Sequence, residues 1–348
     1  MRLNLICIAI VLITGCQKGP VSVSGVMVPL ELLESSHHQG FDYTGLLAKA
    51  LKNDENAFKE LIAFEVQNDT TVANQHAAIL LTVLERLGDE TFAQQLGALS
   101  QDYQKQAWEE LDRALSAQGK SLRTFAPATW KVLIHKGEPV SFLGLYKADD
   151  LHGTFMQCGQ EDARYVTYDE TGALQRNYIR ILRNPYPGQS IVAEIKGYSL
   201  PYFGSLSLPD GFRGFLVITE IVKIEAKNFR NTCIPFDLWA LGNEPFWQAQ
   251  VSEAEGVIEF HELGVERTLN FPYVPMVETD SAGIYASVNP ETGDNIELQV
   301  LDEPCGDSMS DNKYRFKVII KVNGKSFRGC GLTYEDLHPP KPEEEPEE

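Results

Sequence analysis

The chain has 348 residues, too many for one ordinary hydrophobic core, so its length predicts two or three domains. Because 43% of the residues are hydrophobic and 10% are aromatic, we expect folded domains rather than disorder throughout. The formal net charge of −19 argues against nucleic acid and anionic lipid head groups as partners, since both would be repelled at long range.

The N-terminus has the pattern of an export signal, predicted over residues 1–15. Arg2 supplies a positive charge, and the apolar run over 5–12 is too short to span a bilayer as a stable helix. The segment Ile13-Thr14-Gly15-Cys16 resembles the lipobox of bacterial lipoproteins. This resemblance implies cleavage before Cys16 and acylation of that residue, including palmitate. Because Gln17 follows rather than an aspartate, it also implies sorting to the outer membrane of a Gram-negative bacterium, on the periplasmic or surface side.

Residues 16–40 are predicted to be a lipidated flexible tether, because glycine, proline and serine recur there. From 41 to 119 the apolar residues recur every three or four positions, which predicts a small helical bundle. Asp54 is placed to cap one helix and Gly88 to end another. His76 lies on the apolar face of the second helix and is predicted to be a core residue.

Residues 120–137 are predicted to be a linker. Beyond them, runs of β-branched and aromatic residues separated by turn residues predict β-strands. Five strands with a helix over 171–182, after the third strand, are typical of a small Greek-key barrel of the OB type, predicted over 138–233. The predicted strands are Val140–Lys147, Gly153–Cys158, Arg164–Tyr168, Ser190–Lys196 and Gly214–Ile224.

The runs Phe142–Asp150, Gly153–Cys158 and Gly188–Gly197, with a late strand ending near Cys233, resemble the C-terminal OB domain of the NlpE-type outer-membrane lipoproteins. That family is linked to sensing surface attachment and envelope stress, so the resemblance implies a binding or sensing role. The family's N-terminal cysteine pair, proposed to bind copper, has no equivalent here, and no copper role is carried over.

Four cysteines remain besides Cys7 in the signal and the lipidated Cys16, and an even number in an exported chain suits two disulfides with three possible connectivities. Cys158 ends a predicted strand and Cys233 follows the last strand of the same predicted barrel, so the two are expected to meet.

Residues 234–334 are predicted to form a second antiparallel β domain, a barrel or a sandwich, and the acidic segment 335–348 a disordered tail. Asn323-Gly324 is a two-residue hairpin signal. The predicted strands are Phe236–Leu241, Phe246–Ser252, Val257–Leu263, Gly283–Asn289, Ile296–Asp302 and Tyr314–Val322.

Three motifs of this segment, Gly242-Asn-Glu-Pro-Phe-Trp247, Cys305-Gly-Asp-Ser-Met-Ser-Asp311 and Gly329-Cys330, resemble the signature of a domain found in bacterial envelope lipoproteins. The resemblance implies a Cys305–Cys330 bridge and no particular activity.

Four residues are candidates for binding a ligand or partner. The Glu244 carboxylate, beside Trp247, would bind a basic group of a ligand. The alternative is a structural turn in which Phe246 and Trp247 point to opposite faces of the sheet. Asp307 and Asp311 carry oxygen ligands for a hard cation; the alternative is a turn whose polar side chains bond their own backbone.

No fingerprint of a nucleophile elbow, zinc peptidase, P-loop or dinucleotide site occurs in the sequence, so we expect no enzyme activity, no cofactor and no metal centre. His261 lies between Glu259 and Glu262, but adjacent strand residues point to opposite faces. The main hypothesis is a non-catalytic lipoprotein that binds or senses an envelope protein. The alternatives are a small-ligand or metal-binding lipoprotein, and an acidic inhibitor of a basic cell-wall hydrolase such as lysozyme.

Overall fold

The structure is a computed structural model that describes residues 19–66, 69–148, 153–160, 162–265, 267–306 and 313–339. The chain divides into a helical unit, which comprises the residues up to 137 together with 202–207, and a β unit, which comprises 138–201 and the residues from 208 onward. The fold is therefore mixed, with helices concentrated in the first unit and a large amount of β structure in the second.

The helical unit begins with a short hairpin and continues with helices. The hairpin strands are β1 (Val21–Val23) and β2 (Val26–Val28). The helices are α1 (Leu30–His38), α2 (Tyr43–Ala50), α3 (Glu55–Ile62), α4 (Thr70–Leu87), α5 (Asp89–Gly97), α6 (Gln101–Ser116), α7 (Leu122–Phe125) and α8 (Pro127–Ile134). Two local predictions are confirmed: the Asp54 carboxylate accepts a hydrogen bond from Ala57 N at 2.9 Å to cap α3, and Gly88, with φ of 81°, ends α4.

The predictions of a flexible tether and of a linker are wrong for the described residues. Val28 and Leu32, within the predicted tether, are fully buried in the helical unit, as are Leu133 and Ile134 in the predicted linker. Their burial stabilises β1, β2, α1 and α8 as part of the core. Gly25, one of the residues that suggested flexibility, lies in the turn between the two hairpin strands with φ of 82°.

His76 is a core residue, as predicted. Tyr43 Oη and His76 Nδ1 lie 2.8 Å apart in a hydrogen bond, and the side chain is fully buried. Burial lowers the pKa of His76 to about 3, so the imidazole is neutral at physiological pH.

The first part of the β unit is a closed five-stranded barrel. Its elements are β3 (Val140–Lys147), β4 (Thr154–Gln157), β5 (Arg164–Asp169), α9 (Leu174–Leu182), β6 (Ser190–Leu200) and β7 (Gly214–Ala226). The strand order is β3-β4-β5-β7-β6, and β5 pairs with β7 in parallel whereas the other pairs are antiparallel. The helix α9 covers the barrel core with Leu174 and Tyr178.

The second part is a nine-stranded antiparallel sheet that curls into a half-barrel, rather than a sandwich of two sheets. The elements are β8 (Leu238–Asn243), β9 (Phe246–Ser252), β10 (Val257–Glu262), β11 (Arg267–Pro272), β12 (Val277–Glu278), β13 (Gly283–Val288), β14 (Asn295–Leu301), β15 (Cys305–Gly306), β16 (Lys313–Tyr314), β17 (Phe316–Val322), β18 (Lys325–Leu332) and α10 (Tyr334–Leu337). The strand order of the nine-stranded sheet is β11-β10-β9-β8-β18-β17-β14-β13-β12, and the short strands β15 and β16 pair with each other.

The predicted hairpin at Asn323-Gly324 is confirmed, since it joins β17 to β18 with positive φ at both residues. The predicted disordered tail is wrong at its beginning. Thr333 and Asp336 form a reciprocal capping box that starts α10, and residues 340–348 lie outside the described residues.

A buried carboxylate joins the barrel to the half-barrel. Glu255 lies in the turn between β9 and β10, and its side chain is 1% exposed. Lys227 Nζ lies 2.7 Å and Lys147 Nζ 3.8 Å from its oxygens, Ser190 Oγ donates to it at 2.6 Å, and Gln250 Nε2 donates at 3.0 Å. We call these five residues the Glu255 cluster. The barrel supplies Ser190 and Lys147, so the charge network crosses from one module to the other.

The two lysines decide the charge of Glu255. Burial by itself would raise the pKa of this carboxyl, but Lys227 and then Lys147 outweigh burial and lower the pKa from 4.5 to about 2. Because the folded-state pKa lies below the unfolded value, the ionised carboxylate stabilises the fold above pH 4.5. That contribution is lost as the pH falls from 4.5 towards 2.

Glu255→Gln is expected to lower the free energy of unfolding at neutral pH by about 3–5 kcal/mol, because it leaves Lys227 and Lys147 without their buried counter-charge. The variant should also lose part of the acid-dependent destabilisation between pH 4.5 and 2. Urea unfolding over this pH range measures both effects. The control is Glu253→Gln, an exposed carboxylate two residues earlier. Equal stability of the two variants would contradict the role given to the cluster.

Candidate functional site

The GNEPFW turn, residues 242–247, is the hairpin that connects β8 to β9. Gly242 pairs with Trp247 and Asn243 with Phe246, so Glu244 and Pro245 form the tip of the turn, joined by a cis peptide bond. Trp247 points inward and is 1% exposed, whereas Phe246 points outward and is 51% exposed. Only one of the two aromatic residues therefore belongs to the core.

Trp247 is held between aromatic neighbours and two glycines. Its ring centroid lies 6.1 Å from that of Phe260 and 6.2 Å from that of Phe327. A Cβ atom added to Gly242 would lie 2.3 Å from Trp247 Nε1, and one added to Gly329 would lie 2.8 Å from Trp247 Cζ2. The glycine of the motif is thus needed for space beside the indole.

Beside the turn lies a cleft of about 460 Å³. We call it the Glu244 cleft; its lining residues are Leu241, Gly242, Asn243, Glu244, Glu303, Pro304, Cys305, Gly306, Lys317, Arg328, Gly329 and Cys330. The Cys305–Cys330 disulfide is part of this lining. The cleft therefore brings together residues from all three motifs that carried the second resemblance.

The charges of the Glu244 cleft are mixed. Lys317 Nζ and Glu303 Oε2 form an ion pair at 3.4 Å. Glu244 and Arg328 are exposed, and neither makes a hydrogen bond or ion pair with any described residue. The cleft thus offers one carboxylate and one guanidinium to a ligand or partner without first breaking an ion pair between described residues.

Both expected cysteine pairs are bonded in the structure. Cα–Cα distances are 5.3 Å for Cys158–Cys233 and 5.5 Å for Cys305–Cys330. The first bridge ties the end of β4 to the segment that leads into β8, and the second ties β15 to β18. Each disulfide therefore holds a connection that hydrogen bonding within a sheet does not fix.

Three predicted site residues, Cys16, Asp307 and Asp311, lie outside the described residues. Among those that the structure does describe, no group of three or more His, Cys, Asp and Glu residues has the arrangement of a metal site. Near His261, Thr268 Oγ1 lies 3.0 Å from Nδ1, while Glu259 accepts a hydrogen bond from Tyr186 at 2.8 Å and Glu262 pairs with Lys325. The acids beside this histidine thus have other partners.

Sequence reasoning missed the basic side of the cleft. Arg328 precedes Cys330 by two residues. The Cys305–Cys330 bridge expected from the resemblance therefore indicated that Arg328 lies near the segment around Cys305. Lys317 lies in β17 and Glu303 in the connection between β14 and β15, and no sequence signal of this kind links the two.

Comparison with protein families, curated proteins and solved structures finds no match to this chain. Within the described ranges, no helix has both the length and the apolar character required to cross a membrane.

Glu244→Gln is expected to change the free energy of unfolding by less than about 0.5 kcal/mol, because the side chain is exposed and unpartnered among the described residues. Gly242→Ala should cost about 1–3 kcal/mol, because its Cβ would displace Trp247 or the Arg328 carbonyl oxygen. Chemical denaturation of both variants measures the difference. A large loss in Glu244→Gln would assign this residue a structural role and contradict its availability to a partner.

Proposed function

We propose that this chain is a non-catalytic outer-membrane lipoprotein that binds or senses a cell-envelope protein through the Glu244 cleft. The observation that carries the proposal is that two exposed side chains of opposite charge, Glu244 and Arg328, line the same cleft of the sheet. The matching partner is a protein surface that presents one basic and one acidic side chain at the spacing of this pair.

Rigidity supports a recognition role. The turn that bears Glu244 is fixed from below by the buried Trp247 and from the side by the Cys305–Cys330 bridge. A preorganised surface loses little conformational entropy on binding, which favours both affinity and selectivity. Opposite charges at one site also select register and partner more than they add affinity.

The lining of the Glu244 cleft supports binding rather than catalysis. Its described residues include no serine, threonine or histidine, and its two cysteines are joined to each other. Among its described residues the cleft therefore offers charge and shape to a partner but no hydroxyl, imidazole or free thiol nucleophile.

The assignment to the envelope rests on two resemblances. The lipobox-like segment ending at Cys16 supports lipid anchoring, and two or more acyl chains are enough for a stable anchor. The barrel order β3-β4-β5-β7-β6, with α9 between β5 and β6, supports its assignment to the OB type and thereby the similarity to the NlpE-type domain.

Site-specific photocrosslinking in intact cells tests the proposal. A photoreactive phenylalanine analogue replaces Phe246, which is exposed and adjacent to Glu244. The expected result is one adduct of defined mass, lost when Glu244→Gln and Arg328→Gln are introduced together. The control places the same analogue at Val288, an exposed residue of β13 outside the cleft. Equal capture at both positions, or capture that survives the double substitution, would contradict the proposal.

Anchoring is tested separately by Cys16→Ala. We expect this variant to leave the membrane fraction, because it lacks the sulfur that carries the lipid. A Cys16→Ala protein that still fractionates with the outer membrane would contradict the lipoprotein assignment.

A further inference from the structure

A second cleft, of about 380 Å³, lies at another part of the half-barrel and shares no lining residue with the Glu244 cleft. Its floor is apolar and consists of Leu238, Met276, Tyr285, Val300 and Phe316. These side chains belong to or pack against the core of the half-barrel, except Met276, which is exposed. The floor is thus suited to an apolar group of a ligand.

Four carboxylates surround this floor: Asp237, Glu278, Asp280 and Asp302. Asp302 pairs with Arg315 at 3.6 Å, and Asp237 accepts a hydrogen bond from Glu253 N at 2.8 Å. Glu278 and Asp280 are exposed and have no partner among the described residues. The rim therefore carries an excess of negative charge over the single guanidinium of Arg315. We call this site the acidic cleft.

Tyr285 provides an observation independent of the carboxylates. The residue is 5% exposed, and its hydroxyl makes no hydrogen bond with any described residue. The oxygen itself is not completely enclosed, so water or a ligand group can reach it. Because Tyr285 lines the acidic cleft, a hydrogen-bond donor bound in that cleft can take the place of water on this oxygen.

The state of this hydroxyl suits a ligand that donates hydrogen bonds. Burial, then the charge of Asp237, raises the pKa of Tyr285 to about 12, so the phenol is neutral at physiological pH. A neutral phenol oxygen accepts a hydrogen bond from an ammonium group, and the surrounding carboxylates offset the ammonium charge.

We propose that the acidic cleft binds a small organic cation with an apolar body, whose ammonium group contacts Tyr285 and the rim carboxylates while its apolar part covers Phe316 and Met276. An anionic ligand is disfavoured by the rim, and a bare metal ion would leave the apolar floor unused. The proposal does not depend on the function proposed for the Glu244 cleft.

A ligand series tests the proposal with the full-length protein in nanodiscs of neutral lipid and empty nanodiscs as the blank. The probes are phenethylamine, the neutral phenethyl alcohol, the anionic phenylacetate, and ethanolamine, which has a charge but no large apolar part. Ligand-observed NMR titration measures affinity. We expect phenethylamine to bind with a dissociation constant of about 1 mM or lower, at least about tenfold tighter than each of the other three.

Two conservative variants locate the site. Tyr285→Phe removes only the hydroxyl and should weaken phenethylamine binding by about threefold to tenfold. Asp237→Asn keeps an oxygen to accept from Glu253 N but removes a charge, and should weaken binding by a similar factor and reduce its dependence on salt. Glu244→Gln should leave the affinity unchanged, which separates this site from the proposed partner cleft.

The proposal would be overturned by equal affinity for the amine and the alcohol, by no saturable binding of the amine, or by unchanged affinity in both Tyr285→Phe and Asp237→Asn. Melting temperatures of the variants establish that they are folded. Binding that Glu244→Gln abolishes would move the amine to the other cleft and would equally contradict the assignment.

Discussion

The ion pairs of Glu255 are the interaction on which the organisation of the β unit depends. A carboxylate this deeply buried is tolerated only with opposite charges and hydrogen-bond donors around it. Lys147 and Ser190 of the barrel provide part of that environment, and Gln250 of the half-barrel provides another part. Separating the two modules would therefore expose unpaired charges on both.

Strand β9 gives the constraint a functional consequence. It begins at the GNEPFW turn, beside Glu244, and ends at the turn that carries Glu255. One continuous strand thus links the proposed partner cleft to the junction with the barrel, and Trp247 anchors it in the core between those ends. The half-barrel offers two chemically different sites: a mixed-charge cleft suited to a protein surface, and an acidic, apolar-floored cleft suited to an organic cation. The overall charge of −19 favours cationic ligands at long range.

A structural feature could be predicted from the sequence when the residues that determine it are neighbours in the chain. The Asp54 cap, the Gly88 stop and the Asn323-Gly324 hairpin are fixed by neighbouring residues, and each was predicted correctly. The Glu255 cluster was missed because Lys227 and Ser190 are 28 and 65 residues away in the chain, and nothing local marks this glutamate among the other acids. The sequence did not predict that residues 21–38 are folded, because their structure depends on the burial of Val28 and Leu32 against helices further along the chain. The motif that contains Gly242 was visible in the sequence. The reason that a glycine is required there was not, because it depends on the position of the Trp247 indole in the fold.

We infer that barrel and half-barrel form one cooperative unit held by a shared buried charge. Hydrogen exchange measured by mass spectrometry at increasing urea tests this inference, by comparing peptides from β6 and β7 with peptides from β9 and β18. We expect the slowest amides of both modules to open with the same free energy and the same urea dependence. Opening of the half-barrel at a clearly lower free energy, with the barrel still protected, would contradict it.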